Sequence, residues 1–275
     1  MSDIPSDPGE GPPTGPDRAL DIPSLFAEAA RLKSMGELDR SEDIYFHILQ
    51  TAPNHPESFY ELSHIHIEKD NLEVATKCLI AAIKIKPDFL QAHMTLGAIH
   101  RSGERGEEAE KCFREAIRLS PGHAEAHFLL GILLRDQNRL DESIECMKEA
   151  ISLKPEYGEA HIQYGAVLRD SGDVSGAVEH YREAVRIDPD DVHSRLQLGA
   201  TLHESGKFHE ALDVFLAARF LEPELPEIYV GLGSTYTALR KHKESADSFR
   251  KAIDLKPDYL DAYYHLSNTY MGMGN

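Results

Sequence analysis

The 275-residue sequence predicts an all-α solenoid of 34-residue helix-turn-helix units. Three observations carry that prediction. Prolines recur at Pro53, Pro87, Pro121, Pro155, Pro189, Pro223 and Pro257, each 34 residues after the last. Between them the apolar residues fall at the spacing of two amphipathic helices joined by a short turn. Small residues stand in two columns with the same step. One holds Ala29, Ser63, Gly97, Gly131, Gly165, Gly199, Gly233 and Ser267; the other holds Ser41, Ala75, Ala109, Ser143, Ala177, Ala211 and Ser245. Small side chains at both sites let antiparallel helices approach closely. Large residues in neighbouring columns, such as Leu62, Leu130 and Tyr164 or Tyr45, Phe113 and Tyr181, fill the space that is left.

Residues 1–21 are acidic and rich in Pro, Gly, Asp and Ser, and too poor in apolar side chains to offset ordering entropy. They are predicted to be disordered. Seven units follow over residues 22–259. The first, 22–55, carries Glu28 and Ile48 in core columns and reads as an atypical N-terminal cap. Unit 56–89 follows. In 90–123, Gly103 comes one position early and Gly106 is added, which predicts a reshaped turn. Unit 124–157 follows, and in 158–191 the helices are predicted over about 157–170 and 174–187. Gly172 there supplies a positive φ to end the first helix, and Pro189 stops the second. Unit 192–225 has Arg219-Phe220 near its end and Pro226 soon after Pro223, which predicts altered local curvature. In 226–259, Arg240 replaces the usual turn glycine. Residues 260–275 read as the first helix of an incomplete eighth unit or a C-terminal cap. Tyr263, Tyr264, Tyr270 and Met271 do not make a polar cap and are candidates for end-to-end association.

With its small-residue columns, the aromatic or aliphatic column four residues later, the Ala column (Ala82, Ala116, Ala150, Ala184, Ala218, Ala252) and the closing Pro, the chain resembles the tetratricopeptide repeat (TPR) family from about residue 22 to 275. The resemblance implies a right-handed α-solenoid whose first helices line a concave groove, and a non-catalytic scaffold binding a segment of a partner protein there. It places Tyr60, Met94, Phe128 and Ile162 as apolar groove contacts beside a ridge of Lys33, Arg101, Arg135, Arg169 and His203. Such a groove suits a peptide with acidic and apolar side chains, unless Asp136, Asp170 and Glu204 pair with the arginines on a solvated face. The carboxylate clamp of chaperone-binding relatives is missing, because the corresponding columns carry Phe26, Tyr60, Met94 and Thr95. The run 257–263 is also similar to the repeats preceding the catalytic part of O-GlcNAc transferases. That resemblance implies an alternative, a substrate-recruiting arm of a TPR-containing glycosyltransferase. Against it, the groove asparagines of those enzymes give way to Glu61, Thr95, Leu129, Gln163 and Gln197.

Composition narrows the partners. With 29 Lys and Arg against 47 Asp and Glu, the formal net charge is −18, which disfavours nucleic acid and anionic lipid surfaces. No apolar run approaches the roughly 20 residues that span a bilayer. Three cysteines and no secretory signal point to the cytoplasm. No catalytic motif emerges: Gly206-Lys207 lacks the Ser or Thr and glycine spacing of a phosphate loop, and His203-Glu204 lacks the second His of a zincin. The reading is therefore no enzyme, no cofactor and no metal. Cys78, Cys112 and Cys146 share a column, as do His93, His127 and His161. Equivalent atoms one repeat apart are roughly 10 Å from each other, too far for a disulfide or a shared zinc ion. Free thiols and imidazoles packed between repeats are the expectation.

Overall fold

The computed structural model describes residues 21–273, and every regular element among them is an α-helix. In order these are α1 (Ile22–Ser34), α2 (Leu38–Thr51), α3 (Pro56–Glu68), α4 (Leu72–Ile85), α5 (Leu90–Ser102), α6 (Gly106–Leu119), α7 (Ala124–Asp136), α8 (Leu140–Leu153), α9 (Gly158–Asp170), α10 (Val174–Ile187), α11 (Val192–Glu204), α12 (Phe208–Leu221), α13 (Pro226–Ala238), α14 (His242–Leu255) and α15 (Leu260–Met273). The chain is an all-α helical-repeat solenoid. The predicted disorder of residues 1–21 falls outside the described residues, save for Asp21. The fold packs as two units, one up to Ile99 and one from His100.

Each first helix ends in the same way. The residues at 36, 70, 104, 138, 172, 206 and 240 all take a positive φ, between 57° and 90°. The residue after each donates its N–H to a carbonyl five residues back, at 2.7–3.0 Å, from Glu37 to Leu32 through Lys241 to Tyr236. This six-residue closure satisfies carbonyls that the helix end would leave unpaired. Glycine fills the left-handed position in three turns; Asp70, Glu104, Asn138 and Arg240 fill it in the others. The turn at Gly103 is therefore regular, contrary to the expectation above. Glu104 keeps the left-handed position with φ 57°, and Gly106 simply opens α6. Pro226 is accommodated too. It occupies the first turn of α13, as Pro56 does in α3, where no helical hydrogen bond is lost, and α12 keeps the 14 residues of its equivalents.

Within the first unit, Ala29, Tyr45, Ile48, Leu62 and Ile65 form the core, so Ile48 packs as a regular member while Glu28 is exposed. The second unit has a larger core running from Phe128 to Leu232. The small columns meet across each helix pair. Where Ser replaces Ala, its hydroxyl donates to the facing carbonyl: Ser41 to Ala29 at 2.8 Å, Ser143 to Gly131 at 2.7 Å and Ser245 to Gly233 at 2.9 Å. The aromatic of the second helix lies against the facing glycine. The Phe215 ring would stand 2.8 Å from a Cβ built on Gly199 and 2.5 Å from one on Gly231, so it is wedged between α11 and α13.

Two stability outcomes follow from this geometry. Arg240→Gly and Glu104→Gly, which relieve left-handed backbone at an L-residue, should each raise the urea-derived stability by about 0.5–1 kcal/mol after the glycine entropy term is subtracted. Gly199→Ala should lower it by about 1–3 kcal/mol, because a rigid ring rather than a flexible chain end blocks the new methyl. A neutral result at Gly199 would show that α11 and α12 can separate at little cost.

Candidate protein-binding groove

In the second unit the first helices α7, α9, α11, α13 and α15 touch one another in sequence, whereas the second helices make no comparable contacts. First helices that approach more closely than second helices line the inner side of the stack. Their inward positions carry Arg135, Arg169 and His203 together with Gln163 and Gln197. These side chains bond from one repeat to the next. The Arg101 guanidinium meets Asp136 at 3.0 Å, and Arg135 meets Asp170 at 2.7 Å and Gln163 at 3.3 Å. Arg169 reaches Gln197 at 3.4 Å but has no carboxylate partner among the described residues. His203 contacts the Thr235 hydroxyl at 3.3 Å and stacks edge-on against Phe208. Burial lowers its pKa.

The apolar contacts predicted for this face divide. Phe128 is 3% exposed, set in the core against Tyr157 with ring centroids 5.0 Å apart, so it offers a ligand almost no surface. That corrects the prediction for Phe128, whose ring packs into the core of the second unit beside Tyr157. Ile162 is partly buried on the flank of the same core. In the first unit, Met94 is 8% exposed and likewise internal, whereas Tyr60 is half-buried between His64 at 4.6 Å and Phe89 at 5.0 Å. Lys33 pairs there with Glu61 at 2.6 Å.

On α15, Tyr263, Tyr264 and Met271 are exposed, while Tyr270 is half-buried beneath the Arg250 guanidinium, 5.5 Å from the ring centre. Ala262 and Thr269 face inward, and Thr269 shares a hydroxyl contact with Ser245 at 3.2 Å. Among the described residues, no helix is long and apolar enough to cross a membrane.

The cysteine and histidine columns differ in kind. Cys78, Cys112 and Cys146 are free and half-buried, and burial pushes each thiol up to about 11. The histidines do more than fill space. His93, His127 and His161 each bring Nε2 to the carbonyl of the proline six residues earlier, at 2.9, 2.9 and 3.1 Å. Tyr229 does the same to Pro223 at 2.7 Å, and Arg195 to Pro189. The column thus locks the link between repeats by hydrogen bonding. The sequence signal was a recurring side-chain donor in a position otherwise occupied by Phe59. A carbonyl only accepts, so Nε2 of each histidine carries the proton and Nδ1 is left as an acceptor.

A family model described as the cilia and flagella-associated protein 70 C-terminal domain matches residues 21–228, and a TPR repeat model matches residues 233–274. No curated protein matches the chain in sequence. Among solved structures, YrrB, described as a TPR protein with an unusual peptide-binding site, is 22% identical with a TM-score of 0.60, over 69% of this chain and 97% of its own. PilF of Pseudomonas aeruginosa is 17% identical with a TM-score of 0.66, over 78% of this chain and 97% of its own. The C-terminal part of a TPR repeat-containing protein from Cytophaga hutchinsonii is 12% identical with a TM-score of 0.71, over 88% of this chain and 99% of its own. Identities this low establish a shared fold.

One imidazole pair stands apart in the second unit. His161 Nδ1 lies 3.0 Å from His180 Nδ1, and the His180 ring rests on Tyr164 with centroids 4.2 Å apart. Burial, reinforced by the neighbouring His161, pushes His180 from 6.5 down to about 4, against the opposing pull of Glu183 and Asp173. A depressed imidazole contributes stability that is complete above 6.5 and is lost as pH falls toward 4. In His180→Phe, which keeps a ring against Tyr164, the urea midpoint should fall less over that pH interval than in the parent. An equal fall in both would show that acid sensitivity arises elsewhere.

Proposed function

The chain belongs to the family of the cilia and flagella-associated protein 70 C-terminal domain, and from that premise we propose that it is a non-catalytic TPR scaffold that binds an extended segment of a partner protein along the inner face of α7, α9 and α11. The observation that carries this reading is Arg169. Its neighbours Arg101 and Arg135 are each neutralised by the aspartate of the following repeat, whereas Arg169 keeps its charge without a carboxylate. Glu204 occupies the position of Asp136 and Asp170 in the next repeat and makes no ion pair with Arg169. A partner Asp or Glu can supply the missing carboxylate through a two-pronged guanidinium contact. Ile162 and Leu196 flank that point as partly buried apolar surface, and the small side chains of Ala166 and Ala200 leave room for a backbone to run past. YrrB, whose described peptide-binding site sits on the same fold, makes the proposal reasonable by analogy only.

Peptide display against the full chain tests it. Selected sequences should carry an acidic residue next to apolar ones, and Arg169→Glu should reduce their capture at least tenfold while the helical circular dichroism is retained. Arg135→Glu should instead lower thermal stability, since it sets a glutamate against Asp170. Selected peptides that bind Arg169→Glu as well as the parent would sink the assignment.

A further inference from the structure

Residues 219 and 220, at the end of α12, exchange the chemistry of their two columns. The first column holds Leu49, Ile83, Ile117, Ile151, Val185 and Ile253 in the other units, all half-buried, and Arg219 here. The second holds Gln50, Lys84, Arg118, Ser152, Arg186 and Asp254, all polar and exposed, and Phe220 here. The sixth unit therefore puts a cation in the place of a packing aliphatic and turns a ring to solvent. Phe220 is 88% exposed, the highest value for a large apolar side chain among the described residues. We propose that this patch is a self-association surface, on which two copies of the chain each insert Phe220 into a hollow of the other.

The receptor for the ring lies beside it. Arg219 and Phe220 border an open hollow of about 550 Å3, whose other walls are Leu216, Pro223 and Tyr229. A second hollow of about 270 Å3 adjoins it at Arg219 and Tyr229 and extends to Lys251 on α14. The shared wall is fixed, because Tyr229 donates its hydroxyl to the Pro223 carbonyl at 2.7 Å and ties α13 to the loop after α12. A recess formed in advance loses little ordering entropy when it is filled. A phenyl ring entering it gains the burial that Phe220 lacks and brings its face to the Arg219 guanidinium, a cation–π pairing.

The charges around the ring suit a second copy. Glu222 and Glu224 follow Phe220 and are exposed, and neither makes an ion pair among the described residues. Arg219 and Lys251, which border the hollows, have no carboxylate partner there either. A two-fold axis sets residue i against j and j against i, so the carboxylates beside each ring meet the cations beside the other hollow. Around the patch, Arg219, Arg250 and Lys251 stand against Glu222, Glu224, Glu244 and Asp247, which leaves it close to neutral in a chain of net charge −18. That overall charge opposes the approach of two copies, and the opposition is least where both signs are present. A partner of one sign would gain at the cations or at the carboxylates only to lose at the other. The surface shares no residue with the inner face of α7, α9 and α11.

Sedimentation velocity of the full chain over a concentration series tests the proposal. The parent should pass reversibly from monomer to dimer. Phe220→Ser removes the ring without altering charge and installs the residue that the fourth unit carries as Ser152. It should weaken the dimer at least tenfold and leave the melting temperature of the dilute monomer unchanged. Arg219→Ile restores the aliphatic of the other units; it should weaken the dimer too, but raise that melting temperature. The opposite movements separate a lost contact from a lost fold. A parent that stays monomeric throughout would overturn the proposal, as would a dimer untouched by Phe220→Ser. Tyr263→Lys should leave the dimer as it is; its dispersal there, with Phe220→Ser unaffected, would place the contact on α15 and sink the assignment.

Discussion

The close approach of the two helices within each repeat is the constraint on which the rest depends. It is set where the small residue of the first helix meets the small residue and the large ring of the second. At Gly199 the facing Phe215 ring leaves no space for a methyl group, and the same ring reaches Gly231 of the next repeat. One aromatic therefore fixes two spacings, within a repeat and between repeats. Because those contacts recur every 34 residues, the inward positions of successive first helices fall into register, and side chains such as Arg135 and Asp170 meet across repeats. Packing at the helix crossing, not charge on the inner face, decides where the charges stand.

The turn that joins the two helices is fixed by backbone geometry more than by composition. All seven turns use the left-handed conformation and the same i to i−5 closure, although only three have glycine at that position. The closure and the packing of both helices over-determine the turn, so Arg240 and Glu104 are held at φ values that an isolated peptide would avoid. A glycine one position away, at 103, has no such enforcement and does not shift the turn. Local propensity yields here to tertiary register.

This explains what could be read from the sequence. The helices, their length and the buried columns were legible because each depends on a period that chance does not produce. The terminal departures at Glu28 and Pro226 misled little, since an exposed outer face and a first-turn proline tolerate them. The inner face was harder. Phe128 shares its register position with the half-buried Tyr60, and both rings meet an aromatic in the loop after the following helix, Tyr157 and Phe89, yet Phe128 is the more deeply buried, a difference that no periodicity encodes. The histidine column was recognised as packing, but its hydrogen bonds to the proline carbonyls needed the loop path. His180 escaped notice because its column in the two preceding repeats is cysteine, and its facing partner is known only once the helices are paired.

The arginine ridge shows how a small chemical difference on a periodic frame creates a distinct position. Arg101 and Arg135 each face an aspartate one repeat ahead, with a side chain of the length that reaches the guanidinium. At the third step the acidic residue is Glu204, and Arg169 is left with a neutral amide at 3.4 Å. In a chain whose net charge is −18, an arginine that faces inward without a carboxylate is a local reversal of sign. The two paired arginines link successive repeats, and an incoming carboxylate would have to displace one already in place. Arg169 has no such competitor, so the cost of desolvating a ligand carboxylate there is offset by a contact the folded chain does not make for itself. On the proposed reading, selectivity along the inner face would come from Arg169, the ridge arginine left without a carboxylate partner among the described residues.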